Sequence, residues 1–205
     1  MFKNQSEKNF SELSETFFKF AYVSEIHEWD NRSHLERIAK YMFLVARSMG
    51  FSQEESTQLS LASQLHDVGK IMTPKELLKK TGNLLPGDWK TVEAHTTQGA
   101  KILESQSSHL LQIASTIALT HHERWDGSGY PQHLKNQEIP LSGRICAVID
   151  VFDALTTQRS YKVTISDEEA FRLLKDNSGV LFDPEVMKAF EKEFLEIRKI
   201  KKVFD

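Results

Sequence analysis

Two adjacent histidines, His121 and His122, close an apolar helical run and lead straight into a glycine-rich loop ending in Tyr130-Pro131. Neighbouring residues on a helix point about 100° apart, so the two rings cannot share one apolar stripe. At a helix end, however, both imidazoles can turn inward toward a common object. Neutral imidazole is a common ligand for first-row metals, which makes a metal centre one reading of the pair. A surface pair favoured by the dipole at a helix C-terminus is the other. What else the chain offers decides between them.

Five further residues of the same chemistry, His34, His66, Asp67, His95 and Asp150, fall at helix ends or on otherwise apolar helix faces. Taken singly, each histidine is more simply a core imidazole with a satisfied hydrogen bond. The aspartates are harder to dismiss, because an ionised carboxylate is costly to bury unless it is paired or bound to metal. A shared cluster accounts for all seven together. Seven ligands are too many for one ion with an open position and suit two ions that share a bridging carboxylate. Mixed imidazole and carboxylate donors fit iron, manganese or zinc, and the lack of thiolates argues against a structural cysteine site. Paired ions roughly 3.5–4 Å apart clamp a phosphoryl group and acidify a water between them. The implied chemistry is metal-assisted phosphoester hydrolysis.

These residues need helices to hold them, and the periodicity supplies helices throughout. Phe10, Leu13, Phe17 and Phe18 recur at helical spacing, with Phe20, Ala21 and Ile26 beyond, and predict an opening amphipathic helix. Its aromatic weight suggests packing onto the domain or onto a second copy. Leu35, Ile38, Met42, Val45 and Met49 form the next stripe, with His34 at its head and Gly50 as its stop. Ser52 to Glu55 reads as a capping box opening a helix through Leu65 into His66-Asp67, with Gly69 as a stop. Pro74 begins a short helix, and Asp88 caps one carrying Val92, His95, Gly99 and Leu103. Leu110 to His121 makes another. Ser142 caps an apolar helix through Ile145, Phe152 and Leu155 that contains Asp150. A second capping box, Ser166 to Glu169, and the pair Asp183-Pro184 open the last two helices. With no convincing period-2 strand, repeat or interdomain linker, the expected fold is a single all-α helical bundle.

Composition leaves this reading open and closes others. The 205 residues are 40% hydrophobic and 27% charged, an ordinary globular balance for one large domain. A net charge of −3 gives no basic field for a nucleic acid polymer or an anionic membrane. The single cysteine, Cys146, excludes an intrachain disulfide framework, fits a reducing compartment and sits in an apolar run as a small buried thiol. No apolar run reaches spanning length and the start lacks a signal-peptide core, so a cytoplasmic location is expected.

The motifs His66-Asp67-Val68-Gly69-Lys70-Ile71, His95 with Gly99, His121-His122-Glu123-Arg124, Gly129-Tyr130-Pro131 and Asp150 to Thr156, with Arg159 and Tyr161, resemble the HD-GYP domain. The resemblance spans roughly residues 25 to 195, so residues 1–24 are expected to be a helical extension and 25–205 the phosphohydrolase domain. It implies an HD-domain bundle that hydrolyses cyclic di-GMP to pGpG and in some cases GMP. Carried over, His66, Asp67, His95, His121, His122 and Asp150 become metal ligands, with Asp67 bridging. His34 corresponds to a histidine that holds a third metal in trinuclear members, where a glutamate stands four residues earlier. Here that position is Asp30, which either joins His34 on one helix face as a ligand or caps the helix start. Two or three divalent ions, iron or manganese, are therefore expected.

Lys70 resembles a lysine that reaches the scissile phosphate, which makes it a candidate catalytic residue beside Asp67; a solvated lysine at a helix end is the alternative. Gly127, Gly129, Tyr130 and Pro131 would form the substrate-side loop, its glycines allowing close backbone approach and its tyrosine facing guanine. Arg144 and Arg159 either contact phosphate or pair with local carboxylates. His27, His109 and His133 are expected to be bystanders. Such domains are often fused to a sensor region; with only residues 1–24 ahead of the motifs, control is expected from a protein partner, homodimerisation, metal supply or substrate level. The competing readings are an HD phosphohydrolase acting on another cyclic dinucleotide or a nucleotide, and a module that senses cyclic di-GMP without turning it over.

Overall fold

The computed structural model describes residues 2–24, 31–80, 85–158 and 164–204. Asp30, Arg159, His27, Ile26 and Tyr161 lie outside them. The described residues form α-helices and two 3-10 turns, with only an isolated bridge between Ser178 and Phe182. In chain order the helices are α1 (Phe2–Ser24), α2 (Asn31–Ser48), α3 (Gln53–Ser63), α4 (Lys75–Leu78), α5 (Pro86–Glu93), α6 (His95–Ile102), α7 (His109–Thr120), α8 (Leu141–Thr156), α9 (Asp167–Asp176) and α10 (Pro184–Phe204). The all-α expectation holds. None of these helices is long and apolar enough to cross a membrane.

α2 and α8 pack against each other at the centre, with α3 and α7 on one side and α9 and α10 on the other. The stripe read on α2 is the core: Leu35, Ile38, Met42 and Val45 have no exposed surface. Ile145, Val148, Ile149 and Phe152 face them from α8. Fully burying each such side chain stabilises the fold by roughly 1.5–3 kcal/mol. Phe152 meets Phe190 edge-on at 5.3 Å, and Phe194 stacks on Phe171 at 4.5 Å, which fastens α8, α9 and α10 together. α1 lays Ala21, Phe17 and Phe18 against this body and leaves Leu13, Phe20 and Val23 exposed.

Local caps form where local chemistry asks for them. Both capping boxes are present, and Asp183 accepts the Glu185 N–H at 2.8 Å to open α10. Three boundaries differ from expectation. The helix expected from Asp88 to Leu103 breaks at Ala94: the side chains of His95, Thr96 and Thr97 bond the carbonyls of Val92, Glu93 and Ala94 and compete with the helical ladder. Asp88 is the third residue of α5, not its cap, and reaches back to the Leu85 N–H at 3.0 Å. α8 opens at Leu141 after Pro140, so Ser142 lies inside its first turn.

Gly69 also does different work from the helix stop expected of it. α3 ends at Ser63, and Gly69 lies inside a 3-10 turn, Val68–Met72, that packs on α6. A Cβ at Gly69 would stand 1.9 Å from the His95 carbonyl oxygen and 2.5 Å from the Gly99 nitrogen. Only glycine lets the turn carrying His66 and Asp67 approach α6 this closely.

Candidate metal centre

Three helix ends meet at one point. His66 follows α3, His95 follows α5, and His121 with His122 follows α7. A helix leaves its last carbonyls without intrahelical partners. Here the imidazoles take them: His66 Nδ1–H donates to Ser63 O at 2.9 Å, His95 to Val92 O at 2.6 Å and His121 to Ala118 O at 3.0 Å. A carbonyl can only accept, so each Nδ1 carries the proton and each Nε2 offers a lone pair inward. The negative dipole ends of α3 and α7 add to the preference for a cation among them.

The inward atoms form two adjoining groups. Asp67, His95, His121 and His122 bring one donor atom each within 4.8 Å of one another, and His34, His66 and Asp150 do the same. Asp67 stands between them. Its Oδ1 lies 3.2 Å from His95 Nε2 and 3.6 Å from His121 Nε2, while Oδ2 lies 3.3 Å from His66 Nε2. His66 Nε2 in turn lies 3.8 Å from Asp150 Oδ1, and His34 Nε2 lies 4.0 Å from the same oxygen. The seven residues singled out in the sequence are thus brought together, all buried except the half-buried His122 and Asp150.

Two observations test whether a divalent ion fits. His95 Nε2 and His121 Nε2 face each other at 3.4 Å, although both rings already donate through Nδ1. Two opposed lone pairs repel unless a cation lies between them. Asp67 Oδ1 is buried and makes no hydrogen bond, a costly state for a carboxylate oxygen that a cation would relieve. The donor set fits.

Electrostatics agree. Burial alone pushes the Asp67 carboxyl up, but the Lys70 ammonium, His66 and His121 outweigh it and hold the group well below the usual carboxylate range. Lys70 Nζ sits 2.5 Å from Asp67 Oδ2. Burial pushes His121 and His122 down, His122 well below the ordinary imidazole value, so both are neutral at pH 7 and able to ligate. Burial and the Asp150 charge raise the Cys146 thiol, an inert buried group.

The loop from Glu123 to Leu134 packs against the candidate ligands. Tyr130 lays its ring 4.8 Å from that of His122 and donates its backbone N–H to His122 O at 3.2 Å. A Cβ at Gly129 would stand 2.3 Å from the Arg124 nitrogen, so this glycine brings the loop against its own chain rather than opening it to a ligand. Gly127 turns the loop with φ +83°. Pro131 follows Tyr130 through a cis peptide bond.

Arg144 does not fit the phosphate-contact reading. Its guanidinium bonds Asp183 at 2.5 Å and the Ile139 carbonyl at 2.7 Å, and lies over the Trp125 ring at 5.8 Å. Asp30 and Arg159 cannot be placed, being outside the described residues. His109 and His133 are exposed, as bystanders should be.

Three residues without an expected role support the site. Glu123 is buried and accepts the N–H groups of Gln132 at 2.7 Å and Leu134 at 3.1 Å, closing the loop. Asp153 accepts the His34 Nδ1–H at 2.8 Å. Arg37, with no exposed surface, forks onto Asp153 at 2.6 and 3.0 Å. Burial pushes the Asp153 carboxyl up, and His34 and Arg37 overcome it, holding the group at about 2. The signal for Asp153 was its spacing, one helical turn after Asp150 on the same face.

Comparison with known proteins places this geometry. Residues 23–186 match the HD domain family. The chain is 41% identical to a cyclic di-GMP phosphodiesterase of Thermotoga maritima, aligning 98% of this chain with 57% of that one. It is 38% identical to a 3'3'-cGAMP-specific phosphodiesterase of Vibrio cholerae over 90% of this chain and 36% of the relative. The chain therefore spans between about a third and somewhat over half of these relatives' lengths. The crystal structure of a cyclic GMP-AMP specific phosphodiesterase from Vibrio cholerae shares the fold, with a TM-score of 0.66 and 21% identity over 94% of this chain and 53% of that one. The chain belongs to the HD domain family.

Proposed function

We propose that this chain is a metal-dependent phosphodiesterase that hydrolyses cyclic di-GMP, with either pGpG or GMP as the end product. The observation that carries the reading is the pair of adjoining ligand groups with Asp67 between them. His95, His121 and His122 would hold one divalent ion, and His34, His66 and Asp150 a second, with Asp67 bridging. The ions would be iron or manganese, which imidazole and carboxylate donors suit. If a third ion bound, His34 would have to leave the second group and join Asp30 on it, because Nδ1 is taken by Asp153 and only Nε2 is left to ligate. Bound there, the ions supply Lewis acidity to the phosphoryl oxygens and acidify a water.

The chain's own groups do the rest. Asp67 neutralises charge between the two ligand groups, and the Nδ1 hydrogen bonds fix each imidazole so that its Nε2 faces inward. Lys70, paired with Asp67, would contact the scissile phosphate. The Gly127 to Pro131 loop borders the substrate, and Tyr130 keeps its proton because burial and the Asp67 charge raise its phenol. Arg159 stays a candidate phosphate contact. Residues 1–24 form a helical extension to the domain at 25–205; a homodimer, a regulatory protein partner and a cytoplasmic location belong to the same reading.

A second substrate reading has a specific basis, the 38% identity to a 3'3'-cGAMP-specific enzyme. Protein purified without oxygen and incubated separately with each cyclic dinucleotide tests both. Cyclic di-GMP is expected to be consumed faster, with pGpG as first product. Faster turnover of 3'3'-cGAMP would transfer the assignment, and intact substrate with a loaded metal site would leave a sensing module.

A further inference from the structure

We propose that Asp153 and Arg37 are positioning residues for the His34 group, a pair that decides whether a second divalent ion binds there. The inference rests on the metal-centre reading above. His66, His95 and His121 are each aimed by a carbonyl three residues back in their own chain segment. His34 is aimed differently. Its Nδ1–H meets the Asp153 carboxylate, 119 residues away on α8, at 2.8 Å. That bond leaves His34 Nε2 turned toward Asp150 Oδ1 at 4.0 Å, the side where His66 also lies. One helix, α8, thus carries both a candidate ligand, Asp150, and the carboxylate that orients another.

Arg37 completes the device. It lies one turn after His34 on α2 and takes both Asp153 oxygens, Oδ1 through Nε at 2.6 Å and Oδ2 through Nη2 at 3.0 Å. Nη2 also bonds Thr157 Oγ1 at 3.0 Å. A planar fork of this kind fixes the carboxylate plane as well as its charge. Asp153 is therefore held as an acceptor for His34 and is not itself turned to the ligand cluster. The competing account is an ion pair that merely joins α2 to α8.

Metal stoichiometry separates the two. Manganese(II) is titrated into metal-free wild type, Asp153→Asn, and the double variant Arg37→Met with Asp153→Leu. Occupancy is read by calorimetry and by electron paramagnetic resonance. The double variant removes both charges together, a change that buried pairs often tolerate. Thermal unfolding of the metal-free proteins reports folding. An asparagine cannot accept from Arg37 and His34 as the carboxylate does, so affinity for one of the two ions should fall on the order of 10–100-fold. The other ion should bind as in wild type, and the spin-coupled signal should give way to that of isolated manganese. A folded variant that binds both ions as tightly as wild type, or loses both together, overturns the proposal. So does a double variant that cannot fold, since the pair would then be holding the domain. A wild type that binds no second ion sinks the metal-centre reading itself.

Discussion

The two ligand groups lie side by side yet are built by different means. In the Asp67, His95, His121 and His122 group, His95 and His121 take their aim from carbonyls three residues back, at the ends of α5 and α7, and the loop packs Tyr130 on His122. Its geometry is written into short stretches of chain. The His34, His66 and Asp150 group is assembled from α2, the turn after α3, and α8, and His34 is aimed by a side chain far away in sequence. The aim of the His95 and His121 rings is set locally, although Gly69 must still bring the Asp67 turn against α6; the aim of His34 waits for α2 and α8 to dock. Of two ions bound as proposed, the second is the one expected to be lost more easily.

Asp67 belongs to both groups, so it offers the largest break in the comparison. Asp67→Ala should strip both ions and abolish hydrolysis, because two cations would face each other without a carboxylate between them. His109→Ala, at an exposed ring, should be nearly neutral in the same metal and activity assays. If the two variants behave alike, the sorting of ligands from bystanders fails.

Gly69→Ala comes next, because Gly69 sets the distance between the Asp67 turn and His95. Its new Cβ would meet backbone, which cannot swing aside as a flexible side chain can. Overpacking of this kind costs about 1–3 kcal/mol or more, and the melting temperature of the metal-free protein should fall accordingly. An unchanged melting temperature would mean that the turn and α6 are not locked at this distance.

The smallest expected effect sharpens the role of the loop. On sequence grounds Tyr130 is a substrate contact, and Tyr130→Ala would raise KM and leave metal binding intact. Its ring lies against His122, however, so the substitution should also loosen the first group, weakening metal affinity on the order of tenfold. Calorimetric titration with manganese(II) reads this directly. A KM change with metal affinity untouched would return the loop to substrate binding alone.

How much was legible follows the same division between local and distant causes. Ser52, Ser166 and Asp183 announce their helices because a cap is decided within a few residues. The seven His and Asp residues stand out because polar groups on apolar helix faces demand an explanation. Arg37 looks like any arginine on an amphipathic helix; its partner, Asp153, is 116 residues away, and nothing near Arg37 in the chain betrays that it is buried. Glu123 reads as a surface acid until the loop folds back over it. The break at Ala94 was hidden because a helix tolerates His95, Thr96 and Thr97 unless their side chains take the preceding carbonyls, and the pattern does not say which wins.

The claim on which the account stands is that one buried carboxylate joins two metal-binding groups. Elemental analysis of protein prepared without oxygen, before and after reconstitution with iron(II) or manganese(II), tests it most directly. The account predicts at least two ions per chain, magnetically coupled. Fewer than one ion, with no gain on reconstitution, would contradict it.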